Sequence, residues 1–220
     1  MNTSYAYREL TDLTKILTIF LWLGVVIAAI AVVSSWEHLA LLGRRSFSHS
    51  EFVTNWERQK VIALLRLALW VVNSIVFARW IYRANQNVRA LGATGLRVTP
   101  GWAVGYFFVP VVSLWKPYQA MKELWQASQN PAAWQGVTRT ALLPLWWTIW
   151  LLGNVLEQAS FKATMSAMSA PQLETLKGAI AQQMLSDIVF IPLCIVAVTL
   201  VSRICRAQEV ARSTSQGTAT

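Results

Sequence analysis

The sequence predicts an all-α integral membrane protein, and three observations carry that prediction. Several apolar runs approach or exceed the roughly 20 residues a helix needs to cross a bilayer. Of the 220 residues, 55% are hydrophobic and only 13% charged, against about 25% charged in an ordinary soluble domain; so few charges cannot make a soluble surface. Twelve tryptophans suit the two membrane interfaces, where one ring edge is apolar and the other wet. The expected architecture is four transmembrane helices, a short re-entrant or kinked helix and an interfacial amphipathic helix. All lie in one membrane domain over 1–212, with a disordered tail at 213–220.

The first span is 16–35. A cleaved signal peptide is the alternative, but its apolar core would be only about 7–15 residues long, and Trp36 follows this run directly. A polar loop leads to the second span, 61–82, which carries Arg66, Asn73 and Ser74; Gly92 is the expected stop of its helix, because glycine accepts a left-handed backbone. Thr99-Pro100 reads as a helix start, a capping hydroxyl followed by proline in the first turn. The apolar run it opens, 101–115, would be only about 22 Å long as a helix and contains Pro110, so it reads as re-entrant or kinked.

Over 114–128 the residues Leu114, Trp115, Tyr118, Met121, Leu124 and Trp125 form one apolar stripe opposite Lys116, Gln119, Lys122, Glu123 and Gln126. That is the pattern of a helix lying in the interface or of an amphipathic helix packed on protein. Asn130-Pro131 breaks it. The remaining spans are 141–161, with Asn154 and Glu157, and 186–203, with Asp187 and Pro192. A separate short helix is expected over 171–184, with Ser169 and Gln172 as a capping box.

Charge sets the expected orientation. If 101–115 does not cross, twelve basic residues fall on the side of the termini and central segment and six on the other. The twelve include Arg139 and the six include Arg45. If it crosses, the best split is ten against eight. The excess of Lys and Arg on cytoplasmic faces therefore favours four crossings with both termini cytoplasmic. The same topology brings Arg66, Glu157 and Asp187 to similar depth in the outer leaflet. Ionisable groups in a bilayer are costly and face partners or cavities, so these three form a candidate intramembrane cluster, with Asn73 and Asn154 deeper. The functional reading is an ion, proton or ligand site. The plainer alternative is a structural ion pair near the headgroups, reached by flexible side chains.

The central segment from Arg79 to Arg139 holds seven basic residues and one acid, Glu123, and so carries most of the net charge of +9. Arg83, Arg89, Arg97, Lys116 and Lys122, with Trp115 and Tyr118 among them, are candidate contacts for anionic lipid headgroups or a partner; the alternative is topology alone. The bilayer is the expected partner and nucleic acid is not, since no nucleic-acid fold signature accompanies the charge. A second copy or another membrane protein stays open.

Other motifs say less. Gly101 and Gly105 have the spacing that lets helix backbones approach, here expected within the chain. Cys194 and Cys205, eleven residues apart, would be about 16 Å apart on one helix and read as packing residues. No cofactor or metal is expected: His38 and His49 lie outside the spans, and no zinc spacing or phosphate loop appears. Ser48-His49-Ser50-Glu51 holds hydrolase-type residues, but neighbours in sequence rarely make a triad. No recognised catalytic motif supports a lipid enzyme, so a non-enzymatic structural or regulatory role leads and a small transporter or channel component follows.

One stretch is more distinctive. It reads Trp80-x-x-Arg83-Ala84-Asn85-x-Asn87, Leu91-Gly92, Pro100-Gly101-Trp102-Ala103-x-Gly105, Pro110, then Leu114-Trp115-Lys116-Pro117-Tyr118-Gln119-Ala120-Met121. It resembles a family of mostly bacterial multi-spanning membrane proteins known as a domain of unknown function, over roughly 61–206. Ser113 stands where that pattern has Asn. The resemblance implies a bacterial inner membrane and brings no activity, cofactor or catalytic residue.

Overall fold

A computed structural model describes residues 5–44, 48–138, 140–169 and 172–217. Arg45, Arg139, the start of the expected 171–184 helix and the tail from 218 lie outside the described residues. The chain is all-helical there: α1 (Thr11–Leu42), α2 (His49–Ala90), α3 (Pro100–Gly105), α4 (Lys116–Gln129), α5 (Leu142–Ser169) and α6 (Leu173–Gly217). Among the described residues α1, α2 and α6 are long and apolar enough to cross a membrane. α5 also carries Trp146, Trp147, Trp150, Asn154, Glu157 and Gln158, which lower its mean hydropathy.

Local chemistry explains most element ends. α3 begins as read: Thr99 Oγ1 accepts the Trp102 N–H at 3.3 Å, with Pro100 in the first turn. α2 ends before Gly92, whose φ of +93° lets Ala93 N–H return to the Val88 carbonyl. The segment 101–115 is not one helix. α3 is six residues long, and a 3₁₀ turn follows over Val112–Leu114. Pro110 lacks an N–H and cannot continue a helix, and Val111 behind it is turned to φ +65°, a strained setting for a β-branched residue.

At α2 the tetrad beginning at Ser48 is a capping box. Glu51 N–H donates to Ser48 Oγ at 3.1 Å, and Glu51 Oε2 accepts the Ser48 N–H at 2.8 Å. These are the two reciprocal bonds that satisfy orphan donors at a helix start.

α6 departs from the sequence reading. The short helix and the last span are one continuous helix of 45 residues. Ser169 instead closes α5, donating to the Met165 carbonyl, and Gln172 pairs with Thr175 at the start of α6. The expected tail is helical through Gly217; Ser213, Thr214 and Ser215 donate back to carbonyls three or four residues earlier.

The helices are shared between two compact units. Unit 1 takes residues from Met1–Ile19, Asn73–Trp147 and Val196–Thr220; unit 2 takes Phe20–Val72 and Thr148–Ile195. In unit 1 the core is Trp80, Ile81, Met121, Leu124, Leu143, Leu200 and Ile204, all fully or nearly fully buried. Nine of the fourteen residues of α4 are buried, including Glu123 and Gln126 of the expected polar face and Ser128, so α4 packs into protein on more than its apolar stripe. A Cβ placed on Gly101 would meet nothing within 4 Å, and one on Gly105 would meet only Trp102 of its own helix, so that glycine pair joins no helices here. The close approach is at Gly24 in unit 2, against the Phe190 ring (3.2 Å) and Cys194 (3.8 Å).

Unit 2 has the inverse of a soluble surface. Val33, Leu64, Trp70, Val155 and Phe161 are each at least 60% exposed, whereas Ser34, Ser35, His38, Asn55, Ser160, Ser186 and Asp187 are buried. Soluble monomers rarely expose contiguous apolar faces on this scale.

Candidate functional site

The ionisable residues of the unit 2 spans meet. Arg66 of α2 directs Nη2 to Asp187 Oδ1 of α6 at 2.9 Å and to Glu157 Oε1 of α5 at 3.5 Å. Helical spacing supplies the rest of the cluster. Residues three and four apart share a helix face, so Gln183 stands beside Asp187, Ser186 beside Gln183, and Ser160 beside Glu157. Ser186 Oγ donates to Glu157 Oε1 at 2.6 Å. The Gln183 amide oxygen accepts from both Nη groups of Arg66, at 2.7 Å from Nη1, and its nitrogen donates to Ser160 Oγ at 2.7 Å.

Burial is uneven. The Asp187 side chain is 2% exposed, Arg66 26% and Glu157 56%. Asp187 Oδ2 has no hydrogen-bond partner among the described residues. Arg66 lies six residues beyond Lys60, and Asp187 ten beyond Lys177, or about 9 and 15 Å along the helix axes. Glu157 lies only five residues before Lys162, about 8 Å, so the cluster sits within the bundle but toward that charged end of the apolar runs.

Asn154 does not join it. Asn154 is exposed and donates to the Trp150 carbonyl of its own helix at 2.7 Å. Asn73 is half-buried and belongs to unit 1. Ser160, Gln183 and Ser186 were missed by the sequence reading, although helical spacing pointed to Ser160, three on from Glu157, and to Gln183, four back from Asp187; Ser186, next to Asp187 in the chain, carried no such signal.

The basic residues of the central segment divide. Arg89 is committed to the protein: Nη1 donates to the Asn85 carbonyl at 2.8 Å, Nη2 to the Val98 carbonyl at 2.5 Å, and the guanidinium lies over the Tyr5 ring. Arg83 donates to the Glu9 carbonyl. Lys116 lies over the Tyr106 ring, Lys122 is half-buried and Arg97 is exposed. Trp115 is 43% exposed, and Tyr118 is half-buried against Trp147. None of these residues lines the groove of about 730 Å³ in unit 1, whose walls include Trp125, Pro131, Val210, Arg203 and Arg206. Both arginines are exposed and have no acidic partner among the described residues.

The distinctive central stretch is architectural. Trp80 Nε1 donates to Thr14 Oγ1, and Asn87 exchanges two bonds with the Arg8 backbone. Glu123 receives the Arg97 and Val98 N–H groups, each at 3.0 Å.

No curated protein and no solved structure matches this chain. The family model for a domain of unknown function, DUF4328, matches residues 43–206, from just before α2 through most of α6, and the chain belongs to that family.

Proposed function

We propose that the chain is a four-span protein of a bacterial inner membrane, with both termini cytoplasmic, that binds or conducts a proton or small cation at Arg66, Glu157 and Asp187. Two features support the topology. The N-terminal, central and C-terminal segments share unit 1, as an even number of crossings requires. α5, at 28 residues, is about 42 Å long and exposes Leu152, Val155, Phe161 and Met168, which suits the fourth crossing.

One observation carries the functional reading. A single guanidinium faces two carboxylates, one of them almost fully buried, inside an apolar-faced bundle. That trio has a formal charge of −1. Uncompensated charge in a low-dielectric interior is costly, and one further positive charge would balance it. The test is thermal stability in mild detergent, with sodium, lithium and potassium titrated at fixed ionic strength and the pH varied. A ligand that binds only the folded state raises Tm with its concentration. The expected result is a cation- or proton-dependent Tm in the wild type that is flat in Asp187→Asn. A wild-type Tm indifferent to every cation and to pH would overturn the reading.

The groove favours a second reading, a basic cytoplasmic face that contacts anionic lipid or a partner. Its contacts would centre on Arg203 and Arg206, with Arg97, Lys116, Lys122, Trp115 and Tyr118 nearby in the chain's basic unit and Arg83 and Arg89 held by internal bonds.

A further inference from the structure

Unit 2 has a second polar station. Gln59 Nε2 donates to the Ser34 carbonyl and to Ser34 Oγ, both at 3.1 Å, and Arg58 pairs with Glu37 at 2.6 Å. These contacts fix an antiparallel register between α1 and α2. Four residues back along α2 from Gln59 and four on along α1 from Ser34, one turn in each, Asn55 comes opposite His38. Both are buried, with His38 only 2% exposed. Neither His38 nitrogen has a hydrogen-bond partner among the described residues, nor does Asn55 Oδ1. Buried polar atoms are almost always satisfied, by protein or by ordered water.

The station continues toward the cluster. Asn55, Gln59 and Arg66 share one face of α2 at 3.6 residues per turn, with Ile62 the one buried apolar side chain between Gln59 and Arg66 on that face. Ser34 and Ser35 line the α1 side and are both 4% exposed. At the far end Asp187 Oδ2 is again unsatisfied by protein.

We infer that the His38–Asn55 station is the mouth of a hydrated route that leads from the α1–α2 connection to the Arg66–Asp187 cluster, and that water and a small cation enter the bundle by it. The inference rests on the proposed reading of that cluster for its cargo, and on the buried polar atoms alone for the route.

Cysteine accessibility tests the route without any transport assay. Ser35→Cys, Asn55→Cys and Ser186→Cys are made one at a time in protein held in lipid nanodiscs. Each is treated with a cationic, membrane-impermeant thiosulfonate and scored by intact mass. Ala28→Cys, at a buried apolar position, and Val155→Cys, on the apolar exterior, are the controls; the wild type, with Cys194 and Cys205 both buried, is the background. The expected result is modification at Ser35, Asn55 and Ser186 at least tenfold faster than at both controls. Asn55→Leu is expected to slow modification of Ser186→Cys at least tenfold. Ser186→Cys reacting no faster than Ala28→Cys, or reacting at an unchanged rate with Leu at 55, would overturn the inference; should Ser186→Cys fail to fold, Ser35→Cys decides by the same comparison. A hydrated route with no effect of any cation or of pH on Tm overturns the proposed function and leaves the route standing. Unreactive probe positions overturn the route whatever the cations do.

Discussion

Asn87 and Gln208, 121 residues apart in the chain, meet inside unit 1 with Asn87 Nδ2 donating to Gln208 Oε1 at 3.2 Å. Gln208 is fully buried and spends its own amide hydrogens on the Ala84 carbonyl (3.1 Å) and Ser128 Oγ (3.0 Å). Asn87 also holds the Arg8 N–H and carbonyl. Two side-chain amides thus tie the N-terminal segment, α2, α4 and α6 into one core. Buried polar networks fix a unique arrangement when every member is satisfied, and are costly when one is missing.

Removing one member should therefore cost more than removing a surface amide. Asn87→Leu strands Gln208 Oε1 and two Arg8 backbone groups, at about 1–3 kcal/mol for each buried group left unsatisfied. The expected outcome is a clear fall in Tm in mild detergent, with Gln119→Leu, at an exposed amide, close to wild type. Equal melting of the two variants would show that the network does not hold unit 1 together.

That network was not legible in the sequence, and the ion cluster was. A lone Arg66 or Asp187 in an apolar run announces that it needs a partner, because a bilayer penalises it. Asn87 and Gln208 lie in polar, amphipathic stretches where an amide is unremarkable, and nothing in spacing alone brings positions 121 residues apart together. Length and hydropathy gave α1, α2 and the apolar part of α6. They did not give the continuity of α6, because the polar residues around Lys177 and Gln182 set 171–184 apart as a separate short helix, while the backbone runs on unbroken into the last span. The capping box was in view as Ser48-x-x-Glu51 and was weighed only as hydrolase chemistry.

The Arg66–Asp187 pair should show strong non-additivity. Removing one partner of a buried pair costs about 3–5 kcal/mol, whereas replacing both with apolar groups of similar volume is often nearly neutral. Arg66→Met and Asp187→Leu are each expected to destabilise strongly, and the double variant to recover most of the loss. Glu157→Gln should be milder than either, because Glu157 is 56% exposed and its contact with Arg66 is the longer one. Additive losses would argue against direct pairing.

The α2 cap should respond to acid. The Ser48 N–H and hydroxyl hold the Glu51 carboxyl below the usual glutamate range. A carboxylate whose folded pKa is depressed contributes stability above its unfolded pKa and loses it as pH falls through the folded value. The first turn of α2 should fray as pH drops below the ordinary glutamate range. Hydrogen exchange over 49–53, corrected for intrinsic pH dependence, reads this directly. Glu51→Gln should retain a weaker cap that no longer changes with pH, and identical profiles in the two proteins would rule out the carboxylate as the responsive group.

The arginines of unit 1 should separate by role. Arg89 donates from both ends of its planar fork to the Asn85 and Val98 carbonyls, a geometry a lysine ammonium cannot reproduce from one nitrogen. Arg89→Lys is therefore expected to lower Tm while leaving retained anionic lipid unchanged in native mass spectrometry. Arg203 and Arg206 project into the groove without acidic partners among the described residues. Arg203→Ser with Arg206→Ser should leave Tm near wild type and strip anionic lipid, since each basic group near such a surface contributes about 1 kcal/mol. The reverse assignment, with lipid lost on Arg89→Lys and kept on the double change, would return the lipid contact to the residues between Arg83 and Lys122 and leave the groove without a ligand.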